Sequence, residues 1–170
     1  MPAYDELITL ESWPGNTMHL LFPRYYRVLD EAGNTLLSAS ALWALVDQEA
    51  RRMVFPDRHG VVIDGITTGH EIALPSPPRR AQDGREARFT VPFSYVDLNG
   101  HMNNTRYFDL AEDLIPAAAE GRSLREIAVE YANEARLGDE IRVITEQDGA
   151  AFYISGETEK KIFRMAMRYE

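Results

Sequence analysis

The chain contains no cysteine. That excludes disulfides, a thiol nucleophile and thiolate metal sites. It also lacks an excess of basic charge, with 18 Lys and Arg against 27 Asp and Glu and a formal net charge of −9. A nucleic-acid partner is not expected, because phosphate binding needs a basic face. No run approaches the roughly 20 apolar residues of a membrane-spanning helix. No charged-then-apolar leader opens the sequence, so a cytoplasmic location is the simplest expectation. Metal-ligand spacing is missing too: His19, His59 and His70 lie far apart, outside any pattern that would gather them around an ion. Gly65–Gly69 carries no lysine of a phosphate loop. Neither a metal nor a cofactor is expected.

What is present suits a folded chain. Apolar residues make up 45% of 170 residues, enough for one ordinary domain or two small ones. Residues 6–13, 18–29 and 35–47 read as strands, separated by Pro14-Gly15-Asn16 and by the turn Asp30–Asn34. No amphipathic helix is legible before residue 56, so residues 1–56 are expected to form an antiparallel meander, with Trp13 and Trp43 in its core. Residues 57–85 are rich in glycine and proline (Gly60, Gly65, Gly69, Pro75, Pro77, Pro78, Gly84). This stretch exceeds the usual connection within one domain and reads as a linker.

The second unit is expected over 86–170. Phe89, Val91, Phe93 and Tyr95 alternate onto one face of a strand. A helix comes next, with Tyr107, Leu110, Ala111, Leu114 and Ala118 on one stripe and Phe108 and Ile115 beside it. Pro116 ends or kinks it, and Gly121 supplies a stop. Strands are expected at 124–134, 138–146, 150–158 and 161–169. One helix followed by an antiparallel meander is an α+β pattern.

Chemistry concentrates between that first strand and the helix. Asp97, Asn99, His101, Asn103 and Asn104 crowd a short polar loop, more than a solvated turn needs. His101 can exchange a proton near neutral pH, and Asp97 can orient it. Asn99 can hold a carbonyl or a water, and the unpaired N–H groups of a helix start can stabilise a developing oxyanion. Asn103 or Asn104 can cap the helix.

The run Val91–Tyr107, with its Asp97-x-Asn99-x-His101-x-Asn103-Asn104 core, resembles the central motif of acyl-(acyl carrier protein) thioesterases of plants and bacteria. Phe108–Glu112 continues the likeness, and Tyr131-x-x-Glu134 is similar to a second family motif. Ser12–Gly15, Phe22–Arg24 and Ser40–Asp47 look like later strands of the family's first domain. The resemblance implies an α+β hot-dog fold, an antiparallel sheet wrapped on one helix. That fold would be complete in the C-terminal half and partial in the N-terminal half, where an opening strand and helix would be missing. It implies hydrolysis of a fatty acyl thioester on acyl carrier protein, with Asp97, Asn99, His101 and Glu134 as catalytic residues. Where plant members place a cysteine after that glutamate, this chain has Ala135.

Strand alternation sets Glu134 with Ala128, Glu130 and Ala132, and does not decide whether it meets His101. Acyl-CoA hydrolysis and an inactive acyl-binding module remain alternatives. Docking of an acidic carrier is expected to use Arg79, Arg80, Arg85 and Arg88. The apolar face near Leu20, Phe22, Leu42 and Trp43 is expected to lack cover, with a homodimer as one way of burying it.

Overall fold

The computed structural model describes every residue except 1, 3, 48, 51 and 117–119. Ala118, expected on the helix stripe, therefore lies outside the described residues. The chain divides into two units, residues 1–75 and 76–170.

In the first unit, β1 (Thr9–Pro14), β2 (Leu21–Leu29) and β3 (Thr35–Ala44) form a three-stranded antiparallel sheet in that order. The β2–β3 turn is closed by Asn34, whose backbone N–H and side-chain amide both donate to the Asp30 carboxylate. Gly33 there takes a φ of 83°, a left-handed conformation that glycine adopts without steric cost. The third strand is shorter than expected. It stops at Ala44, and β4 (Val46–Asp47) pairs instead with β5 (Arg52–Met53).

The two tryptophans part company. Trp13 is buried and stacks on Tyr25 at 5.8 Å. Trp43 is 58% exposed, which corrects its expected place in the core. The register explains this. Trp13 pairs with Tyr25 and Tyr25 with Ser40, whereas Trp43 pairs with Phe22 on the opposite side of the sheet. The same register puts Leu42 opposite Pro23, on the Trp13 side and not with Trp43.

Residues 63–73 run along the Trp13 side. Ser40 Oγ donates to the Ala73 carbonyl at 2.7 Å, and Arg27 reaches His70 at 3.0 Å. Gly65 N–H and Ile66 N–H bond to Asn16 Oδ1 and to Pro14 O. The other side keeps Leu10, Leu37 and Trp43 exposed. The stretch expected as a linker does carry little regular structure, but residues 63–73 are tied to this sheet.

The second unit holds β6 (Arg85–Thr90), α1 (Arg106–Leu114), β7 (Leu124–Tyr131), β8 (Glu140–Asp148), β9 (Ala151–Glu157) and β10 (Lys161–Tyr169). They form one antiparallel sheet in the order β6-β8-β9-β10-β7. This corrects the expected meander: β8, β9 and β10 are successive hairpin neighbours, but β7 sits at the far edge beside β10. Period-two alternation sorts the sheet into two faces. Ile141, Val143, Phe152, Ile154, Phe163, Met165, Met167 and Tyr169 are buried on one face with Tyr107, Leu110, Ala111 and Ile115 of the helical segment. The other face carries a ladder of cross-strand ion pairs, among them Arg142 with Glu86 and Glu157, Arg164 with Glu130, and Arg168 with Glu126.

Residues ahead of β6 strap onto this charged face. Ala81 N–H donates to Ser155 Oγ and Gln82 N–H to Glu146. The helix is only nine residues long. Ile115, which precedes Pro116, is extended at φ −105°, ψ 113°, because a following proline disfavours the helical conformation.

Candidate active site

The loop entering α1 is shaped by its own backbone. Asp97 N–H donates to His101 O at 2.9 Å, and Gly100 N–H to Asp97 O at 3.0 Å. Gly100 takes a φ of 79° to make this possible. Asp97 Oδ1 accepts the Asn99 N–H at 2.8 Å, an Asx turn. Asn103 Oδ1 accepts from both the N–H and the hydroxyl of Thr105. Asn103 thus orders the helix entry from two residues ahead of Thr105, which occupies the cap position without a side-chain capping bond to the helix backbone. The helix start offers less to a ligand than the sequence suggests. The N–H groups of Thr105, Arg106 and Phe108 already bond to Asn103 and Thr105.

Glu134 arrives by a break in strand parity. Had β7 continued, Glu134 would point with Glu126 and Glu130 into the outer ion-pair ladder. The strand instead ends at Tyr131. Ala132 N–H and Asn133 N–H both donate to Ile162 O, at 2.8 and 3.2 Å. Two residues facing one partner is bulge-like, and it re-aims the side chains of the next residues. Ala135, fully buried, then locks onto the polar loop. Its carbonyl accepts Met102 N–H at 2.7 Å. The result sets His101 Nε2 2.8 Å from Glu134 Oε2.

The imidazole is largely enclosed, with 16% of its side chain exposed, while the carboxylate is half open at 48%. Arg136 lies 3.7 Å from the same carboxylate oxygen. The carboxylate beside the imidazole is therefore Glu134, whereas Asp97 accepts from the loop backbone.

Asp97, Asn99, His101 and Glu134 line one cavity of ≈430 Å³, with Tyr107 and Tyr131 on its wall. Tyr107 and Tyr131 meet edge to face at 5.3 Å. Burial pushes both phenols up to about 12, so they are neutral at physiological pH. Tyr131 OH donates to the Asn104 carbonyl at 3.0 Å. The sequence marked Tyr107 only as part of an apolar stripe and Tyr131 only as the start of a motif. Their hydroxyls were the available signal, since a buried tyrosine oxygen needs a partner.

Three of the arginines expected to form a docking patch are already paired. Arg79 meets Glu146 at 2.8 Å and Asp148 at 3.6 Å, and its guanidinium lies over the Tyr153 ring. Arg80 meets Glu157, and Arg88 meets Glu140, each at 2.5 Å. Each pairing offsets part of the field that would attract an acidic partner.

The chain has known relatives. Residues 79–170 match the acyl-ACP thioesterase C-terminal domain, and residues 1–57 match the acyl-ACP thioesterase N-terminal domain. A chloroplastic palmitoyl-acyl carrier protein thioesterase of Cuphea hookeriana is 22% identical over 157 residues, covering 86% of this chain and 38% of that protein. A chloroplastic acyl-[acyl-carrier-protein] hydrolase of Cuphea viscosissima is 22% identical over 99% of this chain and 42% of its own length. The crystal structure of an acyl-ACP thioesterase from Bacteroides thetaiotaomicron superposes with a TM-score of 0.76 at 22% identity, covering 96% of this chain and 68% of that one. The 12:0-ACP thioesterase from Umbellularia californica gives 0.74 at 18% identity, covering 99% and 70%.

The architecture is thus the α+β hot-dog fold. The chain belongs to the acyl-ACP thioesterase family, and it spans about two-fifths of the length of these curated relatives.

Proposed function

We propose that the chain hydrolyses the thioester of a fatty acyl group borne by acyl carrier protein, releasing the free fatty acid. The observation that carries this reading is the 2.8 Å contact of His101 Nε2 with Glu134 Oε2 on the wall of a cavity that also holds Asp97 and Asn99. Such a pair can take a proton from an attacking water.

The water oxygen adds to the thioester carbonyl carbon as its proton passes to the Glu134–His101 pair. The Asn99 side-chain amide, which lines the cavity, donates to the carbonyl oxygen as it becomes an oxyanion. Collapse of the tetrahedral intermediate breaks the C–S bond. The sulfur leaves with the electron pair and takes up the proton, giving the carrier thiol and the acid. Asp97 orders the loop that presents Asn99 and His101. No thiol is needed, which suits Ala135 at its position.

The partner in this reading is acyl carrier protein, and the setting is the cytoplasm. Self-association through the exposed Leu10–Leu37–Trp43 side of the first sheet belongs to the same reading. The test is free-acid release from a panel of acyl-carrier-protein and acyl-CoA substrates. Turnover on carrier substrates is the expected result. Release from CoA alone would move the substrate class, and release from neither would remove the hydrolytic reading.

A further inference from the structure

Two tyrosines meet between α1 and the end of β7. Tyr107 starts on the helix and lines the same cavity as Glu134. Tyr131 starts on the strand, and its hydroxyl donates to Asn104 O on the helix side. The rings touch edge to face at 5.3 Å, and the Tyr107 ring packs on Phe163 at 4.9 Å.

We infer that Tyr131, seated edge-on against Tyr107, is a brace that sets the distance between His101 and Glu134. The inference rests on the reading of that pair as the reacting groups, and it makes Tyr131 a positioning residue, with Tyr107 holding its ring. Ala135 is fully buried and directly follows Glu134, and its carbonyl accepts the N–H of Met102, the residue after His101. One end of the Glu134 segment is thereby tied to the loop. Tyr131 ties the other end by holding Asn104, and with it the far side of the loop that carries His101. Loss of the hydroxyl removes that tie, and the loop shifts relative to Glu134.

The test compares the wild-type chain with Tyr131→Phe, Tyr107→Leu and Glu134→Gln, since phenylalanine at 131 keeps the ring packing and loses only the hydroxyl. The first readout is the pair of imidazole ¹⁵N shifts of His101, resolved among only four histidines. The second is kcat and KM on acyl-carrier-protein substrate. Tyr131→Phe should move the His101 shifts toward their positions in Glu134→Gln. It should lower kcat by about 10–100-fold with KM little changed, the size of effect that small misplacements produce. Tyr107→Leu, which removes the ring that Tyr131 leans on, should move both readouts the same way by less, and it decides the matter if Tyr131→Phe fails to fold. His101 shifts that stay at wild-type positions in folded tyrosine variants overturn the brace. A wild-type chain that releases no acid removes the hydrolytic reading instead, while the imidazole shifts still judge the brace.

Discussion

Met102 donates its backbone N–H to the carbonyl of Ala135 at 2.7 Å, and this bond delivers Glu134 to His101. Backbone geometry, more than side-chain attraction, brings the pair together. A side-chain hydrogen bond with one partner half exposed contributes about 1 kcal/mol, too little to reshape a strand end.

His101→Ala and Glu134→Gln should therefore cost activity far more than stability. Removing a positioned acid–base group typically lowers turnover by about 10²–10⁴-fold. Steady-state assays beside thermal melts check this. A variant that melts early while its folded fraction retains full turnover would count against the role proposed for that residue.

Alkaline stability should depend on the two cavity tyrosines. Burial raises both phenols from about 10 in the unfolded chain to about 12 in the fold. A raised phenol favours the protonated fold, so its contribution is complete below pH 10 and is lost as pH rises from about 10 to 12. For Tyr107, which is 2% exposed, that loss is roughly 2–3 kcal/mol. Urea midpoints measured across this range should fall less steeply in Tyr107→Phe than in wild type.

Gly156→Ala should destabilise the second unit. A Cβ at this position in β9 would lie 2.1 Å from the Phe163 ring, and that ring is buried against Tyr107. Overpacking of this kind typically costs about 1–3 kcal/mol. An unchanged urea midpoint would mean that the Phe163 ring has room to move.

Reversing Arg79 and Arg80 to Glu should change KM equally for carrier-borne and short acyl-CoA substrates. Both arginines already serve Glu146, Asp148 and Glu157, leaving little field to steer an acidic partner. A rise in KM confined to the carrier substrate would restore the docking patch that the sequence suggested.

The exposed side of the first sheet should slow its hydrogen exchange as protein concentration rises. Leu10, Leu37 and Trp43 stand 67%, 50% and 58% exposed on it, and association is one way such a face leaves water. Exchange of residues 9–44 that is independent of concentration, with Leu37→Ser behaving like wild type, would argue against self-association through this side.

Much of this protein is set by local rules. Alternation and turn chemistry marked most strands within a few residues, and Pro116 foretold where α1 stops, because Ile115 cannot stay helical before it. The dense run Asp97–Asn104 announced its loop and its neighbourhood to the helix. Three matters needed the tertiary structure. Pairing order is non-local, so the sequence could not show that β7 lies beside β10 and not β8. Sheet faces depend on register and on what packs against them, so Trp13 and Trp43 looked alike until residues 63–73 were seen tied to only one side. The meeting of His101 and Glu134 required parity to fail after Tyr131. That failure comes from two N–H groups sharing Ile162 O and from the bond between Met102 and Ala135, which join residues distant in sequence and leave no local trace in it.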